Sequence, residues 1–254
     1  MILLHRISSF VIVAFLLCGF WSLHAGWMHP YTSIIFTVVA IGLVLARLLD
    51  WSVRSFQFWH LLGTPVLFIL TSFGPFMLLE DNWLKMGLVL LVIAAVFLFV
   101  EHIFSFLHLP TRYQPFTLEY LSQLLHTLSV FFFSVLAFGL ILFLQIPLWF
   151  LSILFFLCLF FIVYGTLWVG KIEAIRARPY AFVGALLTTE IFAALSFLPT
   201  GFYSNAAFIA LCVYVFLGLS RAHALHKLSK DVLKRYVGVF ILLVLIIILT
   251  SQWV

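Results

Sequence analysis

The chain has 254 residues, of which 66% are hydrophobic and only 8% charged, with a mean hydropathy of +1.28 and a formal net charge of +5. Soluble domains carry about 25% charged residues, so these values exclude an ordinary soluble enzyme or nucleic-acid-binding domain and require an integral membrane protein. A single membrane domain, 1–254, is expected: an all-α, polytopic transmembrane helical bundle of about nine helices.

In chain order, apolar segments are read at 7–24, 31–49, 56–79, 84–107, 118–145, 148–170, 180–197, 205–220 and 236–253. The first follows Arg6 and is expected to be retained as a helix, because Leu23 stands where a cleavage site needs a small side chain. The third contains Gly63-Thr64-Pro65 and Gly74-Pro75, so its backbone bonding should be interrupted twice, with kinks. The freed carbonyls of Leu61 and Thr71, with the Thr64 hydroxyl, then read as a binding site of the broken-helix type; a kinked packing helix is the plainer reading.

The fourth and fifth segments carry a repeated polar pattern. Glu101, Ser105 and His108 are spaced i, i+4, i+7, as are Glu119, Gln123 and His126, and each trio forms one stripe on a helix. The proline-bearing stretch between His108 and Thr117 fits a turn between antiparallel helices, with Thr117 as N-cap. Counting outward from that turn sets Glu101 level with His126 and His108 level with Glu119. Two acid–imidazole pairs are therefore expected. Such groups can serve as charge compensation, as a proton relay through Glu119, His108, Glu101 and His126, or as metal ligands. The metal reading is weakened because no Glu-x-x-His occurs within either helix and His102 points some 100° away from Glu101. His60 sits near the inner end of the third helix, where it can join the relay or reach the interface; His5, His24, His29, His223 and His226 are expected to be solvated.

In the seventh segment Glu190, preceded by Thr189, lies about ten residues from Tyr180. An ionised carboxylate there is costly, which requires protonation, a partner or water. Ala193 and Ala194 on its own side, and Ala181, Gly184, Ala185 and Thr188 on the other, suggest a helix enclosed on both faces with Glu190 directed into the bundle. The connection 221–233 has Leu225, Leu228 and Val232 at helical spacing, as in a segment lying on the membrane surface.

Charge orients the bundle. With alternate junctions on opposite sides, Lys85 alone of the 13 Lys and Arg residues falls away from the N-terminal side. Positive charge is retained inside during insertion, so the N-terminus is expected in the cytoplasm and the C-terminus outside. Trp21, Trp27, Trp83, Trp149 and Trp253 then mark outer helix ends, and Trp51, Trp59 and Trp168 inner ones. Cys18, Cys158 and Cys212 stand apart in apolar segments and read as packing residues. No Walker A, GxGxxG, HExxH, GxSxG or aspartate-rich prenyl-diphosphate motif occurs, and no cofactor is expected.

Glu190, Leu198-Pro199, Gly218-Leu-Ser-Arg221, Tyr236 and the closing Thr250-Ser-Gln-Trp253 resemble an uncharacterised family of multi-pass membrane proteins from candidate-phyla bacteria. The resemblance covers about a third of the chain, implies a bacterial cytoplasmic membrane, and brings no activity or catalytic residue. Three functions follow from the residues. The first is a non-enzymatic membrane subunit or scaffold binding lipids or other membrane proteins, with no nucleic-acid partner. The second is a proton-coupled carrier or flippase-like protein for an amphipathic solute, centred on Glu190. The third is an intramembrane enzyme using the Glu/His cluster, with Glu101, His108, Glu119 and His126 as its metal candidates.

Overall fold

A computed structural model describes residues 2–109, 113–114 and 116–251, with side chains from Arg6 onward. The expected turn residues Pro110, Thr111, Arg112 and Pro115, the terminal Trp253 and the His5 side chain lie outside the described residues.

Those residues form nine α-helices: α1 (Ile2–Ala25), α2 (Pro30–Leu48), α3 (Phe56–Leu78), α4 (Asn82–His108), α5 (Thr117–Leu144), α6 (Leu148–Val169), α7 (Ala174–Leu195), α8 (Phe202–Ala224) and α9 (Lys230–Thr250). Eight are long and apolar enough to cross a bilayer; α7, with Arg176, Arg178 and Glu190, is the other. The expected helices are all present. The last three begin three to six residues before their expected starts; α7 takes in 174–179 of the basic turn, and α8, running on to Ala224, and α9, reaching back to Lys230, together absorb most of 221–233. The surface helix expected there is thus replaced by a short link through His226, in left-handed backbone at φ 55°.

Local chemistry sets the ends. Ser55 Oγ accepts from Phe58 N at 3.1 Å, Asp81 Oδ1 from Trp83 N at 2.8 Å and Ser229 Oγ from Val232 N at 3.3 Å, each satisfying an amide that the first helical turn leaves open. Thr117 does not cap α5. It is the first helical residue and donates to Gln114 O, while the phenol oxygen of Tyr113 accepts from Leu118 N. The α3 helix runs as one element through Pro65 and Pro75, neither of which has an amide hydrogen to donate to the preceding turn.

The chain divides into two compact units, 1–125 and 126–254, the division falling within α5. In the first, α1 packs on α2 and α4, and α3 on α2 and α4, closing a ring of four helices. Close approach of α1 to α2 needs Gly19, whose missing side chain leaves room for Thr37; beside it Ser33 Oγ donates to Gly19 O. Phe20 from α1 meets Phe73 and Phe76 of α3. In the second unit α6 and α7 pack most extensively, with α8 against both and α9 against α8. Its centre is aromatic: Phe192 of α7 stacks on Phe155 of α6 at 4.5 Å and 7°, and Phe133 and Phe138 of α5 close on this pair. None of the described residues of α9 is buried.

Candidate functional site

The polar residues singled out above have separate surroundings. In the first unit Glu101, half-buried on α4, accepts a 2.6 Å hydrogen bond at Oε1 from Ser9 of α1. Ser9 is fully buried, so this contact pins α1 to α4 in an apolar setting. Sequence spacing missed Ser9; the only hint was the Ser8-Ser9 pair in an otherwise greasy helix. His108 lays its ring on Phe104 at 5.1 Å and 16°. Glu119 is half-buried, and its Oε2 is enclosed without a hydrogen-bond partner among the described residues. Glu119 lies at the α5 start near Tyr113. Burial raises the Tyr113 phenol above its ordinary pKa range, the Leu118 amide opposes this, and the charge of Glu119 adds to the rise.

His126 belongs to the second unit and is fully buried. Its Nδ1 lies 2.7 Å from Thr166 Oγ1, and Thr166 in turn donates to Ile162 O at 2.8 Å. A threonine has one hydroxyl proton, and the Ile162 carbonyl takes it. His126 Nδ1–H must then be the donor to Thr166. Glu101 and His126 thus belong to different units, and within those units their partners are Ser9 and Thr166. Gln123 is half-buried on α5. Among the described residues no three His, Cys, Asp or Glu side chains gather at metal-ligand spacing.

Thr64 is buried in α3 and returns its hydroxyl proton to His60 O at 2.8 Å, a bond within its own helix. Thr189 does the same to Ala185 O at 2.7 Å. Neither hydroxyl proton is left to offer a ligand. His60 is buried in the α3 face, not placed at the interface.

Glu190 reverses an expectation. Ala181, Gly184, Ala185 and Thr188 are buried as the small-residue seam requires, and Gly184 admits the Phe216 ring of α8. The seam, however, continues to Phe192, fully buried on Phe155. Glu190 is two residues from both Thr188 and Phe192, hence about 200° around the helix from each. It is exposed, with Ala194 beside it, and makes no hydrogen bond or ion pair among the described residues. The helix is enclosed on one face, and the carboxyl is on the other.

Comparison with protein-family models, with curated proteins and with solved structures finds no match to this chain.

Proposed function

We propose that this multi-pass membrane protein is a non-enzymatic subunit of the bacterial cytoplasmic membrane that docks a partner transmembrane helix on the Glu190 face of α7. Exposed apolar surface alone says nothing here, because lipid tails satisfy leucine as well as a protein does. An exposed carboxyl is different: on the insertion scale an acidic side chain at a helix centre costs about 3 kcal/mol. Glu190 lies about 15 Å along the axis beyond Tyr180 and about 8 Å before Leu195. Helical side chains lean toward the N-terminus, so the carboxyl is drawn away from the nearer helix end and escapes poorly to the headgroups. A hydroxyl, amide or basic donor on a neighbouring helix at that depth offsets the cost. That exposed position carries the proposal. It also removes support from a proton-coupled carrier, which needs the carboxyl inside an enclosed path.

The test is the mass of the complex in a mild detergent. The 29.1 kDa chain should run as part of a heavier assembly. Glu190→Gln, which still hydrogen-bonds, should retain it, and Glu190→Leu should release the free chain with helix content unchanged. A wild-type chain that runs alone, or an assembly indifferent to Glu190→Leu, overturns the proposal.

A further inference from the structure

The basic end of the second unit contains a cleft of about 590 Å³ between α7 and α8, whose walls include Arg176, Tyr180, Val183, His223 and His226. Its polar groups come from the start of α7 and the end of α8 and are bonded across the gap. Arg176 Nη1 is 3.4 Å from His226 Nε2, and the Tyr180 hydroxyl is 2.5 Å from His223 Nδ1. These contacts constrain the protons. A guanidinium has no acceptor, so Arg176 donates and His226 Nε2 accepts, which puts the His226 ring hydrogen on Nδ1. In the tautomer in which Tyr180 donates its proton to His223 Nδ1, the His223 ring keeps its hydrogen on Nε2. Both imidazoles then present a donor, beside a guanidinium fork only partly used.

Among the described residues the opposing charge in contact is Glu173, 3.9 Å from Arg176 Nε and well exposed. Lys227 follows His226 in the chain, and Glu173 caps α7 without a side-chain hydrogen bond. His226 holds its place with φ at 55°, a conformation that glycine adopts more cheaply at a helix end. Ile175, Pro179 and Val183 add apolar surface to the wall, with Val183 about 4.5 Å further along α7 than Tyr180. Donors at the mouth and hydrocarbon along the wall match an amphipathic anion. The volume falls within the roughly 300–1,000 Å³ of small-molecule sites, more than one free oxyanion fills.

We infer that the α7–α8 cleft binds a phosphate group, with Arg176, His223 and His226 as its donors and the headgroup of an anionic phospholipid as its source. The inference does not depend on Glu190 or on any partner helix.

The test uses the full chain in detergent micelles doped with phosphatidic acid, with phosphatidylcholine, or with inorganic phosphate added to plain micelles, and bound ligand read by native mass spectrometry. Wild type should retain phosphatidic acid over phosphatidylcholine. Arg176→Gln, and separately His223→Gln with His226→Gln, should each cut that retention at least about fivefold, the effect of one basic residue at a membrane surface. Lys234→Gln, an exposed charge on α9, should leave it unchanged. Inorganic phosphate held with the same dependence on Arg176 supports the phosphate site but assigns it a soluble ligand. Equal retention of the two lipids with no phosphate bound, or a loss on Lys234→Gln as large as on Arg176→Gln, overturns the inference.

Discussion

Ser9 and Thr166 show how single hydroxyls govern the costly groups in this chain. Both lie far in sequence from the residues they satisfy, and nothing in the spacing of Glu101 or His126 points to them. The stripes themselves were legible, since a 3.6-residue period fixes which residues share a face. What faces them depends on helix packing, which that period does not contain. If the Ser9–Glu101 bond joins α1 to α4, Ser9→Ala should lower unfolding stability by about 1–3 kcal/mol, because it leaves a carboxyl without its donor. In the double-mutant cycle with Glu101→Gln, the two losses should be less than additive; strict additivity would deny the contact. Tyr113 provides a pH test. Its phenol is raised above the ordinary 10.0, so the folded state holds that proton more tightly than the unfolded chain does. Stability from this source is complete below pH 10.0 and is lost as pH rises through the folded value. Ultraviolet titration of wild type against Tyr113→Phe should therefore reveal a phenolate that forms late.

Helix existence was readable because apolar runs of about 20 residues leave few alternatives, and the proline, serine and aspartate punctuation placed most ends within a few residues. The starts of α7 and α9 were not, since charged residues such as Arg176 and Lys230 look like junction yet extend a helix into the headgroup layer. The Ala181–Thr188 seam was also legible. Its continuation into Phe192 was not, because a lone phenylalanine among 31 carries no directional signal. That one residue turns Glu190 outward. Close packing at this seam predicts that Gly184→Ala, which drives a methyl into the Phe216 ring, costs about 1–3 kcal/mol. Gly218→Ala should behave alike against Tyr236, while Gly42→Ala and Gly87→Ala, in open space, should stay within about 0.5 kcal/mol of wild type. Thermal unfolding midpoints in one detergent compare all four, and equal effects would show that the seam is not tight.

Across the whole molecule, the one-sided placement of basic residues and the docking proposed at Glu190 both require α7 to cross the bilayer despite its charges. Composition made the membrane class plain, but α7 is the helix whose composition speaks least for a crossing. It contacts α6 more extensively than any other pair of helices touches, and an enclosed seam lets a helix with Arg176, Arg178 and Glu190 sit where its own hydropathy would not carry it. The most direct measurement is maleimide labelling of intact cells, with Cys18, Cys158 and Cys212 replaced by serine and a single cysteine introduced by Glu173→Cys or Thr200→Cys. With α7 crossing, the Thr200→Cys chain labels from outside with an impermeant reagent and the Glu173→Cys chain only after permeabilisation. Labelling of both from the same side would place α7 along the surface and remove Glu190 from the bilayer.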